Sequence, residues 1–485
     1  MSEERNEDGL FLGATRVLPG AGPPGPAIRH VMPAHHLTTH GVIVGMTGSG
    51  KTGLVTVTIE EALRSSVPVL VIDVKGDLPN LLLSFADFQP SSIAPWVELG
   101  PTDKGPSALD RVATKLAAER RAGLAAWAID EATIASYRAR SHVRVITPGA
   151  DAGELLHVLS SLERRSNRWD SDPEGARAAL SAAISLILRL LGRDADPARS
   201  REHVLLSVLA EHRLSRGQAA DIGALLPEIV SPPIDSIGAL GVDEFIGKKA
   251  RRELAAALNS LLASPTFASW RQGATLDIAD WMAPVQVDGV MKTPATIVSV
   301  AHLDDAEREL VLGVLLEEVL SWVRGLPGSQ QLKALIVFDE VYGFLPPHPA
   351  SPPTKRPLVA LMKQARAFGV GVLIATQNPM DLDYRSLSNA GLWCIGRLQT
   401  DADRARVLDG LVGNAGEEAA QLGALLKRLA PRFFLMRDVQ ARAGTVFLQP
   451  RWAMSFMRGP MTRLEIRRAR ALPRASPREV QTPAP

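Results

Sequence analysis

The 485-residue chain contains a single cysteine, Cys394. One cysteine cannot form a disulfide within the chain, which excludes a disulfide-stabilised secreted scaffold and is typical of a reducing compartment. Neither sign of charge is in excess, because the formal net charge is only +2. The overall charge therefore neither indicates nor excludes a nucleic-acid partner, and local clusters of charge become the useful observation.

Long apolar runs are also missing. The longest candidate, around residues 311–320, contains Glu317 and Glu318, whereas a membrane-spanning helix needs about 20 predominantly apolar residues. The chain starts with the polar and acidic sequence MSEERNEDG, which differs from the basic and then apolar start of a secretory signal. We therefore expect a cytoplasmic protein without membrane insertion.

Composition is otherwise that of a folded protein. Hydrophobic residues make up 46% of the chain and charged residues 22%, values typical of globular domains. At this length the chain has enough residues for a large core and more than one structural unit.

The most informative stretch is GVIVGMTGSGKT, Gly41 to Thr52. Its first four residues are apolar and predict a short buried parallel strand. The next eight follow the phosphate-loop spacing, in which backbone N–H groups converge on an anion at the start of a helix. A glycine turn with a chance lysine is the alternative. The predicted nucleotide-binding residues are Gly45, Met46, Thr47, Gly48, Ser49, Gly50, Lys51 and Thr52.

Each residue type in this loop has a chemical reason. Gly48 and Gly50 permit backbone angles and a close approach that a Cβ atom would block. Lys51 supplies a mobile positive charge for the β and γ phosphates of ATP, and the hydroxyl of Thr52 is a ligand for Mg²⁺.

A second strand, PVLVID, ends at Asp73 and continues into the turn VKGDL, which contains Lys75 and Asp77. Ligands of open α/β sheets lie at the carboxyl ends of the strands, where this turn is expected. We predict that Asp73 contributes to the nucleotide site. An ordinary polar turn around Gly76 is the alternative.

A third strand, ALIVFDE, ends in two acids, Asp339 and Glu340. In phosphate-loop ATPases an acid at this place holds Mg²⁺, and an adjacent glutamate orients and deprotonates the attacking water. We predict the metal role for Asp339 and the catalytic role for Glu340. The strand VGVLIATQ ends at Gln377, which is predicted to sense the γ phosphate or position water; a loop glutamine with purely local contacts is the alternative.

These elements predict an α/β fold with a central, mainly parallel sheet and a mostly helical insertion. We divide the chain into five segments: a lead-in segment rich in glycine and proline with room for one edge strand (1–39), the first part of the core (40–104), the helical insertion (105–285), the second part of the core (286–450) and a basic, proline-containing C-terminal tail (451–485). The tail's arginines either reach phosphates of DNA or a neighbouring subunit, or are simply solvated.

The motifs HGVIVGMTGSGKTGL, VIDVKGDLPNLL, ALIVFDEVYGFLPP, KQARAFGVGVLIATQNP and IGRLQTDADR occur in this order. Together they resemble the HerA-like branch of the FtsK and HerA superfamily of motor ATPases. The resemblance covers most of residues 40–450 and is weakest across the helical insertion.

This resemblance implies a RecA-like sheet and a ring, usually hexameric, that hydrolyses ATP with Mg²⁺ between subunits and moves DNA. It also implies the phosphate, metal, catalytic and sensor roles given above for Lys51, Thr52, Asp339, Glu340 and Gln377. Arg366 and Arg397 match arginines that face the neighbouring subunit's nucleotide in such rings. An arginine supplied in this way contributes about 10³ to 10⁵ in rate, so hydrolysis would require assembly.

Two departures from the family pattern are evident. HerA helicases carry an N-terminal β-barrel for which the first 39 residues leave no room, which weakens the expectation of a nuclease or other effector partner. Val341 and Tyr342 follow the two acids where related motors often have Ala-His.

The leading hypothesis is a DNA translocase or helicase. The alternatives are a superfamily ATPase that recruits or pumps protein or DNA at a secretion or conjugation machinery, and a nucleotide-gated scaffold with little turnover.

Overall fold

The computed structural model of the protein describes residues 9–17, 26–87, 89–101, 103, 105, 107–163, 168–377, 379, 382–387, 390–412, 416–442 and 444–472. All statements below concern these residues. The sequence predicts that Arg164 and Arg165 lie on a solvated face of the insertion and that the last residues, from Pro473 on, are disordered. Both predictions concern residues outside these ranges.

The strands, in chain order, are β1 (Gly9–Val17), β2 (Ile28–Pro33), β3 (Gly41–Val44), β4 (Val69–Asp73), β5 (Ser141–Ile146), β6 (Leu156–His157), β7 (Ser236–Ile237), β8 (Leu240–Gly241), β9 (Ala274–Thr275), β10 (Val285–Val287), β11 (Val290–Ser299), β12 (Ser329–Asp339), β13 (Phe368–Thr376), β14 (Leu392–Ile395), β15 (Phe434–Asp438) and β16 (Thr445–Pro450).

The α-helices are α1 (Lys51–Arg64), α2 (Pro90–Ile93), α3 (Ala108–Ala125), α4 (Glu131–Arg140), α5 (Ser160–Glu163), α6 (Arg168–Ser171), α7 (Pro173–Leu190), α8 (Arg201–Ser215), α9 (Ile222–Val230), α10 (Val242–Phe245), α11 (Lys248–Ala263), α12 (Pro265–Ala268), α13 (Ile278–Met282), α14 (Asp305–Arg324), α15 (Lys355–Gln364), α16 (Tyr384–Leu387), α17 (Asp401–Val412), α18 (Gly416–Lys427) and α19 (Arg463–Arg470). Five short 3-10 helices connect them: Ala34–Thr39, Leu78–Leu82, Ala94–Trp96, Ser269–Arg271 and Ala365–Ala367.

One large sheet organises the fold. Within the described residues its parallel part has the order β5-β11-β4-β12-β13-β3-β14, with every neighbouring pair parallel. The antiparallel strands β15, β16, β1 and β2 extend it beyond β14, and β10 forms an antiparallel pair with the start of β11. The predicted α/β fold with a mainly parallel central sheet is confirmed.

Helices cover both faces of the sheet. Along β3, Val42 and Val44 belong to one hydrophobic core, and Ile43 belongs to the other, because successive side chains of a strand point to opposite faces. The helix α1 packs in the core of Ile43, whereas α14 packs in the core of Val42 and Val44. Burial on both sides explains why the parallel strands have continuous apolar sequences.

Several helix ends follow their sequence signals. Asp172 caps α7 by accepting a hydrogen bond from the backbone N–H of Gly175, and Pro173 is its first residue. A capping box of Asp304 and Glu307 begins α14, which is buried along most of its length, as its apolar sequence predicts.

The structure differs from the predicted lead-in segment. Two strands lie in the first 39 residues, β1 and β2, and β1 pairs with β16 from the end of the chain. The side chains of Leu10, Leu12 and Met32 are buried in the core beside α1. The segment is therefore an integral part of the sheet, and its glycine- and proline-rich sequence obscured the two flanking strands.

The predicted C-terminal tail is wrong for residues 451–472. This part packs on the core, and its last helix, α19, begins with a capping box of Thr462 and Glu465. Arg451 is 1% exposed, Arg458 pairs with Glu465 at 2.7 Å, and Arg468 lies over the ring of Trp96 at 5.5 Å. Because the side chains of Arg451 and Arg458 are buried against the same chain, neither interpretation of a free basic tail applies to these two, whereas Arg468 stays exposed.

Most of the predicted helical insertion is helical. Its strand β5 nevertheless belongs to the main sheet, where it pairs with β11, so the segment between main-sheet strands runs from residue 147 to 284. In this segment α7, α8, α9 and α11 pack against one another, and α7 packs against α14. The boundaries of 105 and 285 as domain limits stay a prediction. No helix within the described residues has the length and apolarity needed to cross a membrane.

A buried histidine should make the stability of the fold depend on pH. His40 is 1% exposed, and burial together with the nearby positive charge of Arg366 lowers its pKa to about 4. Between pH 6.5 and 4 the unfolded chain binds the additional proton, so the free energy of unfolding should fall by about 3 kcal/mol as the pH falls through this window.

Urea denaturation at several pH values measures this effect. A His40→Asn variant is the control, because asparagine retains a hydrogen-bond acceptor for the Val372 N–H, which His40 accepts through Nδ1 at 3.2 Å, but it does not titrate. Equal pH dependence in both proteins would contradict the assignment.

Candidate active site

The predicted site residues come together at one edge of the sheet. The strands β4, β12, β13 and β3 are adjacent and parallel, so their carboxyl ends lie side by side. The turn after β3 leads directly into α1. Ligand sites of open α/β sheets occupy this position.

The turn between β3 and α1 has the backbone that its glycines predict. Gly48 and Gly50 have φ angles of 76° and 94°, in the left-handed region that favours glycine. A Cβ atom at Gly45 would lie 2.5 Å from Ser49 Oγ. The N–H of Met46 donates to the carbonyl of Arg397 at 2.8 Å, which ties this turn to the end of β14.

Lys51 and Glu340 form an ion pair across this edge. Lys51 Nζ lies 3.2 Å from Glu340 Oε2, although 289 positions separate the two residues in the chain. Lys51 is 5% exposed and Glu340 is 8% exposed. The structure therefore places Lys51, which follows the glycine-rich turn, in direct contact with Glu340, which follows β12.

Glu340 accepts hydrogen bonds at both carboxylate oxygens. Thr376 Oγ1 and the N–H of Gln377 donate to Oε1 at 2.9 and 3.1 Å, and Lys75 Nζ donates to Oε2 at 2.5 Å. Burial opposes ionisation, but Lys51 and Lys75 outweigh it and hold the pKa of Glu340 below its usual value. The residue has a φ angle of 65°, an uncommon backbone that clusters at functional sites.

Asp339 differs from Glu340, because its carboxylate oxygens accept no hydrogen bond within the described residues. Its side chain is 1% exposed, and within the described part of the chain neither Oδ1 nor Oδ2 has a hydrogen-bond partner. Burial raises its pKa to about 6, against the opposing effect of Lys51. A buried carboxylate without a partner is costly, and a bound cation would supply the missing interaction. Thr52, in the first turn of α1, is the second predicted metal ligand.

Asp73 is paired with Asp339 across β4 and β12 and is fully buried. Its carboxylate accepts from the Gly76 N–H and from Ser299 Oγ, both at 2.9 Å. Burial, followed by the charge of Asp339, raises its pKa to about 7. These contacts fix the turn after β4, so the geometry gives Asp73 a structural role; a direct contact with a ligand stays a prediction.

Gln377 links two parts of the site. Its side-chain oxygen accepts a hydrogen bond from Thr47 Oγ1 at 2.6 Å, while its N–H donates to Glu340. The predicted sensor glutamine thus connects the glycine-rich turn with the acid. The purely local contacts of the alternative interpretation are not what the structure shows.

The two predicted arginines lie apart. Arg397 is exposed and follows β14 beside the glycine-rich turn of its own chain. Arg366 is exposed and precedes β13 at its amino end. A strand of nine residues spans roughly 30 Å, so Arg366 lies at the opposite edge of the sheet from Gln377. The structure does not bring Arg366 into the site of its own chain.

Sequence reasoning did not assign a site role to two residues that the structure places here. Lys75 contacts Glu340, and its position in the turn after a buried strand was the available signal. The N–H of Arg432 donates to the Ser49 carbonyl at 2.9 Å, with a φ angle of 64°. No sequence signal marks Arg432, because its contact depends on the pairing of β15 next to β14.

Comparison with known proteins identifies one matching family model and several similar folds. Residues 31–133 match the family model of the central domain of helicase HerA. This part of the chain is therefore similar to the HerA central domain. The matched range includes the glycine-rich turn and Asp73, and the acids Asp339 and Glu340 lie outside it. No curated protein sequence matches the chain.

One solved structure with a TM-score above 0.5, VirB4, shows the same fold over nearly the whole chain. VirB4 of Thermoanaerobacter pseudethanolicus is 12% identical, with a TM-score of 0.51, and the match covers 93% of this chain and 98% of VirB4. The plasmid coupling protein TrwB in complex with ADP and Mg²⁺ is 14% identical, with a TM-score of 0.49, covering 93% of this chain and 96% of TrwB. The predicted RecA-like phosphate-loop fold is confirmed.

Proposed function

We propose that this protein is an Mg²⁺-dependent ATPase that assembles into a ring, a hexamer by the family resemblance, and moves along or unwinds DNA. The observation that carries the ATPase part is the contact of Lys51 Nζ with Glu340 Oε2 at 3.2 Å. Beside it lies the carboxylate of Asp339, which has no hydrogen-bond partner in the described part of the chain. A phosphate-binding lysine and a carboxylate base at one point are the requirements for attack of water on a terminal phosphate.

In this proposal the residues divide the work. The backbone N–H groups of residues 45–52 bind the phosphates at the start of α1, and Lys51 leaves Glu340 to neutralise the β and γ phosphates. Glu340 then accepts a proton from the attacking water, and Gln377 orients that water or the γ phosphate. Thr52 and Asp339 would hold Mg²⁺, which neutralises charge on the phosphates when bound.

The proposed ring explains the separation of the two arginines. Arg366 is exposed at the edge opposite the site of its own chain. The nucleotide that it could reach is therefore the one bound by a neighbouring subunit. Arg397 lies next to its own phosphate loop, which favours a role within the same chain. We infer that Arg366 is the better candidate for an arginine that acts across the interface, where it would stabilise transition-state charge.

One experiment tests assembly and chemistry together. The mass of the purified protein is measured with and without ATP and DNA, alongside release of phosphate. We expect an oligomer, phosphate release that requires Mg²⁺, and stimulation by DNA. A protein that stays monomeric and whose ATP turnover does not respond to DNA would contradict the translocase proposal.

Replacing Lys51 by alanine should weaken ATP binding about 10- to 100-fold and abolish measurable turnover, because a charge-assisted contact to the phosphates is worth about 1.5–3 kcal/mol. Equilibrium binding of a fluorescent ATP analogue and phosphate release measure the two effects. Lys363→Ala, which removes an exposed lysine from α15, is the matched control. Full ATPase activity in Lys51→Ala would overturn the site assignment.

A second function uses the same chemistry at a secretion or conjugation machinery, where the ATPase would recruit or pump protein or DNA. The observation that favours it is that the fold shared with VirB4 extends over 93% of this chain and includes more than the nucleotide-binding core. Affinity purification from cells distinguishes the two. Co-purification of membrane secretion components, without DNA affinity of the purified protein, would favour this second function.

A further inference from the structure

Lys75 approaches Glu340 from the side opposite to the phosphate loop. The sheet order β4-β12-β13-β3 places the turn after β4 on one side of Glu340 and the turn after β3 on the other. Lys75 Nζ lies 2.5 Å from Glu340 Oε2, and its side chain is 28% exposed. A phosphate held by the loop after β3 would therefore lie on the side of Lys51.

The turn that carries Lys75 is held firmly. The carboxylate of Asp73 accepts from the Gly76 N–H and from Ser299 Oγ. The Gly76 carbonyl in turn accepts from the N–H of Met461 at 2.9 Å. Because the N–H and the carbonyl of Gly76 are both hydrogen-bonded, the backbone next to Lys75 is fixed in a position from which its side chain contacts Glu340.

The contacts on Glu340 change unequally when a nucleotide binds. Thr376 and Gln377 hold Oε1, whereas Lys51 and Lys75 share Oε2. Under the proposed function Lys51 moves to the phosphates. Lys75 is then the remaining contact on Oε2, and without it this oxygen would be free to turn away from the water.

We propose that Lys75 is a positioning residue of the ATPase site, which keeps Glu340 Oε2 directed at the attacking water after Lys51 has moved to the phosphates. This inference rests on the proposed ATP hydrolysis. It assigns Lys75 no contact with the nucleotide. The exposed fraction of Lys75 also makes it the member of the cluster that another molecule at this edge could displace.

The kinetic consequence is a loss of kcat without a loss of binding. Lys75→Met retains the length of the side chain and removes the charge. We expect kcat for ATP to fall about 10- to 100-fold, the scale on which a misplaced catalytic group acts, with KM and the Kd of ATP changed less than threefold. Lys75→Arg should recover part of kcat, because a guanidinium can also donate to the carboxylate.

A double variant tests whether Lys75 acts through Glu340. In a Glu340→Gln background, Lys75→Met should have no further effect on kcat, since residues that act as a unit are not additive. Lys333→Met is the control. This lysine lies on the same strand, β12, and its Nζ donates to Gln331 Oε1 at 3.2 Å, away from the site.

The outcomes separate this inference from the proposed function. Wild-type protein that binds ATP but releases no phosphate, alone or with DNA, would refute the proposed function. If the wild-type protein is active and Lys75→Met has the same kcat, the positioning role of Lys75 is refuted and the proposed ATPase function is not. A Kd for ATP raised tenfold in Lys75→Met would show a phosphate contact and would also overturn it. If Lys75→Met does not fold, as judged by circular dichroism, Lys75→Gln takes its place with the same expectations.

Discussion

Glu340→Gln should lower ATP turnover about 10²- to 10⁴-fold, the range typical for removal of a general base, while ATP affinity stays within a few-fold of wild type. Glutamine retains an oxygen that can accept the hydrogen bonds of Thr376 Oγ1 and the Gln377 N–H. It cannot take a proton from water. Single-turnover phosphate release and equilibrium binding of ATP measure the two quantities separately.

A trapped complex provides the second readout of this variant. The protein should bind ATP and retain it for longer than the wild type, because the chemical step is slowed and binding is not. An ATP lifetime equal to that of the wild type would instead support the scaffold hypothesis, in which the protein binds nucleotide with little turnover. Asp339→Asn is a useful companion variant. Its ATP binding should no longer depend on Mg²⁺, whereas the catalytic base Glu340 is retained.

Arg451→Met should lower the free energy of unfolding by about 3–5 kcal/mol, the cost of leaving a buried charge without its partner. The Arg451 guanidinium lies 2.9 Å from Glu60 Oε2 and 2.7 Å from Glu61 Oε1, and the three side chains are 0–3% exposed. Burial disfavours the charge of Arg451, but the two carboxylates outweigh this effect and raise its pKa. Removing the cation leaves both carboxylates of α1 in the core.

Equilibrium unfolding in urea measures this loss. In the matched control, Arg451→Met is combined with Glu60→Gln and Glu61→Gln, which removes the uncompensated charges together with the cation. We expect this triple variant to be more stable than Arg451→Met alone. A loss below about 1 kcal/mol in Arg451→Met would mean that the ion pairs are as weak as those on a protein surface.

The position of Arg451 also connects the end of the chain to the proposed site. Glu60 and Glu61 lie in α1, the helix that begins at Lys51. The Met461 N–H bonds to Gly76 in the turn that carries Lys75. Residues 451–461 thus contact both elements that place a lysine next to Glu340, so a deletion from residue 451 would disturb more than a tail.

The C-terminal residues, from Arg451 on, show what sequence patterns cannot predict. A stretch with many arginines and few acidic residues predicts, from its charge alone, a tail that is solvated or that binds nucleic acid. Arg451 is instead among the most buried side chains described. Whether an arginine is solvated depends on carboxylates such as Glu60, which is 391 positions away in the chain, and no local pattern contains that information.

Local sequence did specify the phosphate loop, the ends of α7 and α14 and the apolar strands of the core. These features depend on neighbours in the chain: glycine permits the left-handed backbone at Gly48 and Gly50, and a cap is made within four residues of the helix start. Asp339 and Glu340 were identified because they end a buried strand. Their roles as metal ligand and base stay predictions that the variants above test.

Only the tertiary structure decided that Lys51, Lys75 and Glu340 meet, that the carboxylate of Asp339 has no hydrogen-bond partner within the described residues, and that Arg366 lies at the far edge. The order of strands sets these distances, and that order results from pairing between segments hundreds of residues apart. Sequence determined which residues could do the chemistry; strand order determined which of them lie close enough to do it together.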